Sequence, residues 1–126
     1  MSAVHTVGRR FAHALADKDV AQLTSLLASD VDFRGLTPGK FWEAEDNAAV
    51  IEVMLGTWFA PDEHIDAILD LNENDSVEDT AHVSYRFAIT TPDGAHTAEQ
   101  QAYYRTEDEQ ITYLRILCSG FRPAAG

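Results

Sequence analysis

The stretch Ala81-His-Val-Ser-Tyr-Arg-Phe-Ala-Ile-Thr-Thr-Pro-Asp-Gly-Ala-His-Thr-Ala-Glu-Gln-Gln-Ala-Tyr-Tyr-Arg-Thr-Glu-Asp-Glu-Gln-Ile-Thr-Tyr-Leu-Arg-Ile-Leu-Cys-Ser119 decides the fold. It divides into three runs, 81–91, 95–106 and 110–119, each rich in β-branched and aromatic residues. Pro92-Asp93-Gly94 separates the first two, a turn signal because proline presets φ and glycine accepts positive φ. Glu107-Asp108-Glu109 separates the second and third. Three consecutive antiparallel strands are therefore expected.

A short turn fixes which residues oppose each other, and a slip of one residue moves every side chain to the other face. With Thr91 opposite Gly94, Arg86 faces Glu99, Ser84 faces Gln101, His82 faces Tyr103 and Ala88 faces Thr97. The other face carries Val83, Tyr85, Phe87 and Ile89, opposed by Ala102, Gln100, Ala98 and His96. If the second turn is equally tight, with Glu107 opposite Gln110, then Leu114, Ile116 and Cys118 join the face of Arg86, Glu99 and Gln101. Tyr113, Arg115 and Leu117 then join the face of Tyr85 and Phe87.

A chain of 126 residues, 45% of them hydrophobic, fits a single domain that spans 1–126 and buries a core without covalent staples. The single cysteine permits no internal disulfide. No apolar run reaches membrane-spanning length and the first residues lack the apolar centre of a signal peptide, so a cytoplasmic location is expected. A net charge of −12 repels nucleic-acid phosphates and anionic lipids, and argues against either as a partner. The acids are dispersed among helix starts and turns, where solubility and capping account for most of them.

Upstream, Val4, Val7, Phe11, Ala14 and Leu15 recur at three and four, the spacing of an amphipathic helix ending near Asp17. Asp19, with Gln22 three residues on, reads as the cap of a second helix that buries Val20, Leu23, Leu26 and Leu27 and stops near Ser29. Val31–Arg34 alternates as a short strand and 35–40 reads as a loop. A third helix, capped by Glu45 or Asp46, turns Ala49, Val50, Val53, Met54 and Trp58 inward and ends at Pro61. Ile65, Ala67, Leu69 and Leu71 alternate as the apolar side of a further strand. Helices first and an antiparallel sheet afterwards predict an α+β domain, its helices packed on one face of a curved sheet.

This order of elements resembles the nuclear transport factor 2-like (cystatin-like) superfamily, in its SnoaL-like branch with ketosteroid isomerase and polyketide cyclases. The resemblance covers nearly the whole chain. It is carried by the early helix with Phe11, by Leu26-Leu-Ala-Ser-Asp-Val-Asp-Phe33 and by Ile111-Thr-Tyr-Leu-Arg-Ile-Leu-Cys-Ser119, with Glu99-Gln-Gln-Ala-Tyr103 and Leu117-Cys-Ser-Gly-Phe-Arg122 in support. It implies a cone with an internal pocket, and a homodimer through the outer face of the sheet. It also implies that Leu114, Ile116 and Cys118 line the cone. The positions matching the catalytic acids of the isomerase hold Gly35 and Gln101, and those matching the cyclase acid hold Cys118 and Ser119.

The expected pocket lining is thus Ser84, Arg86, Glu99, Gln101, Tyr103, Leu114, Ile116 and Cys118, suited to a partly apolar ligand with a carbonyl, hydroxyl or carboxylate. Arg86 and Glu99 could clamp such a ligand, or Glu99 could act as a base in an isomerase, cyclase or hydratase if desolvation raises its pKa. They could equally be a buried ion pair satisfying itself. A third possibility is a non-catalytic dimeric interaction module. Val83, Tyr85, Phe87 and Ile89 could pack under the helices as the more apolar face, and are assigned here to the dimer interface. Cys118 reads as a small buried residue, Trp42 and Trp58 as rim or core. The histidines share no metal-ligand spacing and no glycine-rich phosphate loop is present, so neither metal nor cofactor is expected.

Overall fold

The computed structural model describes residues 6–124. Val4 and His5 lie outside the described residues. Helix α1 (Val7–Ala16) is capped by Thr6, whose hydroxyl accepts from the Arg9 amide. Helix α2 (Val20–Leu26) is capped by Asp19, which accepts from the Gln22 amide at 3.1 Å, the predicted pairing. Strand β1 (Leu27–Thr37) and strand β2 (Lys40–Ala44) form a hairpin around Pro38 and Gly39. Gly39 has φ +78°, the conformation a turn with proline before glycine requires. The expected loop over 35–40 is therefore a tight turn between paired strands.

Asp46 caps helix α3 (Asn47–Ile51), accepting from the Ala49 amide at 2.7 Å. The helix then widens into a π-helix over Glu52–Trp58, with the Phe59 amide closing back on the Met54 carbonyl. After it, Lys18 reaches across from the link between α1 and α2. Its ammonium donates to the carbonyls of Ala60 and Glu63 at 2.8 and 2.6 Å. Burial lowers the Lys18 pKa from its ordinary value, against the opposing pull of Glu63 and Asp62.

Four long strands complete the chain: β3 (His64–Val77), β4 (Thr80–Thr91), β5 (Gly94–Glu107) and β6 (Gln110–Cys118), with a short β7 (Arg122–Pro123). The sheet order is β2-β1-β6-β5-β4-β3, with β7 beside β5 where β6 has ended. All neighbours run antiparallel except β1 and β6. This is the expected α+β architecture of helices on one face of a curved, mostly antiparallel sheet.

The hairpin of β4 and β5 has the predicted register from Thr91 opposite Gly94 through Arg86 opposite Glu99 to His82 opposite Tyr103. The turn between β5 and β6 is also as tight as predicted, with Glu107 opposite Gln110 and both central residues, Asp108 and Glu109, at positive φ. One step beyond it the pairing slips. Thr106 faces Ile111 but Arg105 faces Tyr113, so Thr112 is an extra residue, a β-bulge. The Thr112 hydroxyl donates to the Arg105 carbonyl at 3.4 Å.

That bulge corrects the predicted faces. Leu114, Ile116 and Cys118 stand opposite Tyr104, Ala102 and Gln100, on the same face as Val83, Tyr85, Phe87 and Ile89. All of these are buried, under Phe11, Leu15, Leu23, Leu26, Met54 and Phe59 from the helical side. The apolar face is therefore the inner one, and Val83, Tyr85, Phe87 and Ile89 are core residues rather than a dimer surface. The energetics decide it: each large apolar side chain gains roughly 1.5–3 kcal/mol on burial, whereas enclosing an Arg–Glu pair costs several kcal/mol per ion before any attraction is counted.

Strand β3 shows the same device. Pairing with β4 shifts between Ile65 and Ala67 and again between Ile68 and Asp70. Two slips turn the expected period of two into a period of three, so Ile65, Ile68 and Leu71 pack on the core while Leu69 stays 53% exposed. If the bulge at Thr112 sets the faces, deleting that residue drives Arg115 and Leu117 inward and Leu114, Ile116 and Cys118 out. We expect loss of cooperative thermal unfolding by circular dichroism, with Thr112→Ala, which keeps the count, retaining it.

Candidate functional site

The eight residues assigned to one lining by sequence divide between two faces. Leu114, Ile116 and Cys118 point inward; Ser84, Arg86, Glu99, Gln101 and Tyr103 point outward. The cause is the bulge just described, because the two groups belong to opposite faces once β6 is shifted by one.

The outward residues form a connected row. A ring nitrogen of His82 lies 2.6 Å from Gln101 Oε1, the Gln101 amide donates to Glu99 Oε2 at 3.1 Å, and Arg86 donates to Glu99 Oε1 at 3.3 Å. The Tyr103 ring stacks on His82 at 4.2 Å between centroids, and Ser84 Oγ accepts from Asn74. The Arg86 and Glu99 side chains are 49% and 45% exposed, so water screens the pair. Glu99 is therefore neither enclosed nor desolvated, the condition on which its use as a base rested.

Beside this row the outward face is apolar. Leu36, Phe41, Tyr103 and Leu117 are 50%, 51%, 38% and 54% exposed. With Arg34 and Arg115 they line a shallow cleft of about 210 Å³. Arg34 pairs with Glu43 at 3.4 Å and Arg115 with Asp32 at 3.3 Å. A larger open cleft of about 630 Å³ adjoins it, between Pro38 and the end of β6, with Glu99, Gln101 and Ser119 on its wall.

The inward face holds a polar group that the sequence reading passed over. Gln100 is fully buried, the only buried amide side chain among the described residues. The Tyr85 hydroxyl donates to Gln100 Oε1 at 2.6 Å. Burial, with Cys118 adding to it, raises the Tyr85 pKa well above its ordinary value, so the phenol keeps its proton. Gln100 Nε2 has no partner, and neither does the buried indole nitrogen of Trp58. Gln100 could have been found from the predicted register, in which it already stood opposite Tyr85 on the more apolar face.

Trp58 ends the π-helix and lies over β1. A Cβ on Gly35 would sit 2.8 Å from its ring, so the absence of a side chain at 35 makes room for the indole. Phe33 and Trp42 pack against the same ring. Gly35 stands opposite Ile116, Ile116 opposite Ala102, and Cys118 opposite Gln100. Arg10 Nε is likewise buried without a partner, while its Nη2 donates to Glu109. Cys118 Sγ accepts from the Gly120 amide at 3.4 Å. Among the described residues no group of three or more His, Cys, Asp or Glu side chains is placed to hold a metal ion. No helix among them is long and apolar enough to cross a membrane.

Solved structures match this architecture over most of its length. A proposed isomerase from Bacillus subtilis superposes with a TM-score of 0.74 at 15% identity, covering 90% of this chain and 84% of that one. The chain has the nuclear transport factor 2-like fold. A proposed isomerase from Rhodopseudomonas palustris gives a TM-score of 0.70 at 18% identity, over 95% and 93% of the two chains. A SnoaL-like protein of Mesorhizobium loti, proposed as a polyketide cyclase, gives 0.64 at 15% identity over 87% and 94%. At such identities the likeness is one of fold. No protein-family model matches the chain, and no curated protein does.

Within this nuclear transport factor 2-like fold the two faces make different predictions. Arg86→Ala, at an exposed pair, should change unfolding free energy by less than about 1 kcal/mol in urea titration. Tyr85→Phe leaves Gln100 unbonded at both ends and should cost about 1–3 kcal/mol, while Tyr85→Phe with Gln100→Leu replaces both partners and should recover most of it.

Proposed function

We propose that the chain binds a small, mostly apolar molecule inside the fold, against Gln100, Tyr85, Trp58 and Cys118, with Leu114 and Ile116 as apolar wall. The observation that carries the reading is Gln100, fully buried with its amide nitrogen unpartnered. A leucine there, with phenylalanine at 85, would avoid an unpaired donor, so stability alone does not account for the pair. Unpaired buried donors call for a partner, and a ligand acceptor supplies one.

Binding is favoured over acid–base catalysis because the acids and histidines lie elsewhere. No carboxylate or imidazole is among the buried side chains of the described residues. General acid–base work needs such a group within hydrogen-bond reach of the reacting atom. The neighbours proposed as isomerases and cyclases are similar in fold; the position resembling the isomerase's base is here Gly35, filled by the Trp58 ring.

The test is a methyl-resolved NMR titration with cyclohexanone. Shifts at Leu114 and Ile116, with Leu36 and Leu117 unmoved, are expected. Shifts confined to Leu36 and Leu117 would place binding on the outward face and overturn the reading.

A second reading concerns the outward face, which we infer pairs with a second copy of the chain. Its exposed Leu36, Phe41, Tyr103 and Leu117 make an apolar band of the sort that marks interaction surfaces. The charges around it cancel: Arg34 with Glu43, Arg86 with Glu99, Arg115 with Asp32. In a chain of net charge −12, a locally neutral patch is where two copies can meet with least repulsion. Light scattering should give twice 13.9 kDa for the native chain and the single mass for Leu117→Arg. A native chain that stays at the single mass at every concentration refutes this pairing.

A further inference from the structure

We infer that the outward face carries a ligand groove separate from the interior, which takes an unbranched aliphatic monocarboxylate. Cross-strand pairing sets Phe41, Leu36 and Leu117 in one row over β2, β1 and β6, each about half exposed. Two interstrand spacings make this an apolar track about 10 Å long. The row on one side of it is Glu43, Arg34, Arg115 and Tyr103; the row on the other is Ser119, Glu99 and Arg86. Rows of one face lie about 7 Å apart along the strands, so the apolar strip is one hydrocarbon chain wide. A ring or branched skeleton would press on the charged rows and strip their water without giving them a partner.

The two clefts of that face join along the track: those of about 210 and about 630 Å³ share Leu36 and Leu117. The first reaches Phe41, and the second reaches Arg122. Strand β7 takes the lane that β6 vacates, and Arg122 stands opposite Thr97, on the outward side with Glu99. The ion pairs among the described residues engage Arg10, Arg34, Arg86, Arg105 and Arg115. Arg122 meets no carboxylate among the described residues; it donates through Nε to the Ser119 carbonyl at 3.4 Å, which leaves its two terminal nitrogens for a ligand. A guanidinium takes a carboxylate through two parallel N–H bonds. One cation admits one negative charge, because a dianionic head would also face Glu99 on the same wall, in a chain of net charge −12. The acid therefore lies with its chain on Leu117, Leu36 and Phe41 and its head at Arg122. The same band is inferred above to meet a second copy, so acid and copy exclude each other, although the binding does not rest on that pairing.

Octanoate and octan-1-ol, equal in chain length and kept below micellar concentrations, separate head from chain when the leucine and isoleucine methyl resonances are followed. Both should shift Leu36 and Leu117 and leave Leu114 and Ile116 unmoved. Octanoate should bind about fivefold more tightly, the strength of one exposed ion pair. Arg122→Gln, at an exposed position, should bring the acid down to the alcohol and leave the alcohol as it was. Adamantane-1-carboxylate, too wide for the strip, should leave Leu36 unmoved. The octanoate-saturated chain should scatter light at 13.9 kDa. Equal affinities for acid and alcohol, or an Arg122→Gln chain that binds octanoate like the native one, would overturn the carboxylate. Adamantane-1-carboxylate binding as tight as octanoate's would overturn the unbranched skeleton, and twice 13.9 kDa with Leu36 and Leu117 shifted would overturn the exclusion of a second copy. Leu36 and Leu117 unmoved by octanoate would overturn the groove itself, and shifts at Leu114 and Ile116 in their place would send the acid to the interior.

Discussion

The β-bulge at Thr112 is the constraint on which the rest of the structure depends. Because side chains alternate along a strand, one extra residue exchanges the faces of everything beyond it. With the bulge, Leu114, Ile116 and Cys118 complete an inner surface that runs from Val83, Tyr85, Phe87 and Ile89 through Ala98, Gln100 and Ala102. Without it, Arg115 would be carried under the helices and three apolar side chains into water. The same slip places Leu117 beside Leu36 outside, so it builds the outward band as well as the core. The local cost is a carbonyl of Arg105 out of step with the ladder, and the Thr112 hydroxyl offsets it.

How much was legible in the sequence follows from where the chain obeys a simple period. Pro92-Asp93-Gly94 fixed the hairpin of β4 and β5 residue by residue, and Asp19 and Asp46 cap the helices they were expected to cap. Each of these rests on chemistry local to a few residues. Bulges have no comparable mark: Thr112 is an ordinary strand residue, and nothing in Ile65–Leu71 announces two shifts of register. The widening of α3 into a π-helix at Glu52 and the pairing of β2 with β1 depend on neighbours distant in sequence. The error in the site was of this kind, since the outer residues were correctly paired with each other and wrongly joined to β6. Face apolarity was the available arbiter, because four large apolar side chains outweigh an Arg–Glu pair in any competition for the interior.

The two faces then divide the chain's polar groups by function. On the outside, charge is abundant and neutralised pair by pair in an otherwise strongly acidic chain, which suits a surface that meets another protein. On the inside, polarity is reduced to the phenols of Tyr85 and Tyr104, the Gln100 amide, the Trp58 indole and the Cys118 sulfur. No carboxylate is enclosed with them among the described residues.

Gly35 and Trp58 are packed against each other. Gly35 lies on the inward side of β1, opposite Ile116. Any side chain there would meet the Trp58 ring at under 3 Å from its first carbon. Glycine and the indole are thus one unit: an acid at 35 and a tryptophan at 58 exclude each other in this packing. The indole brings a neutral donor into the interior and takes up volume that a carboxylate with its water would need. The inner side of β1 is thus filled by an uncharged ring where a carboxylate would need room for its water.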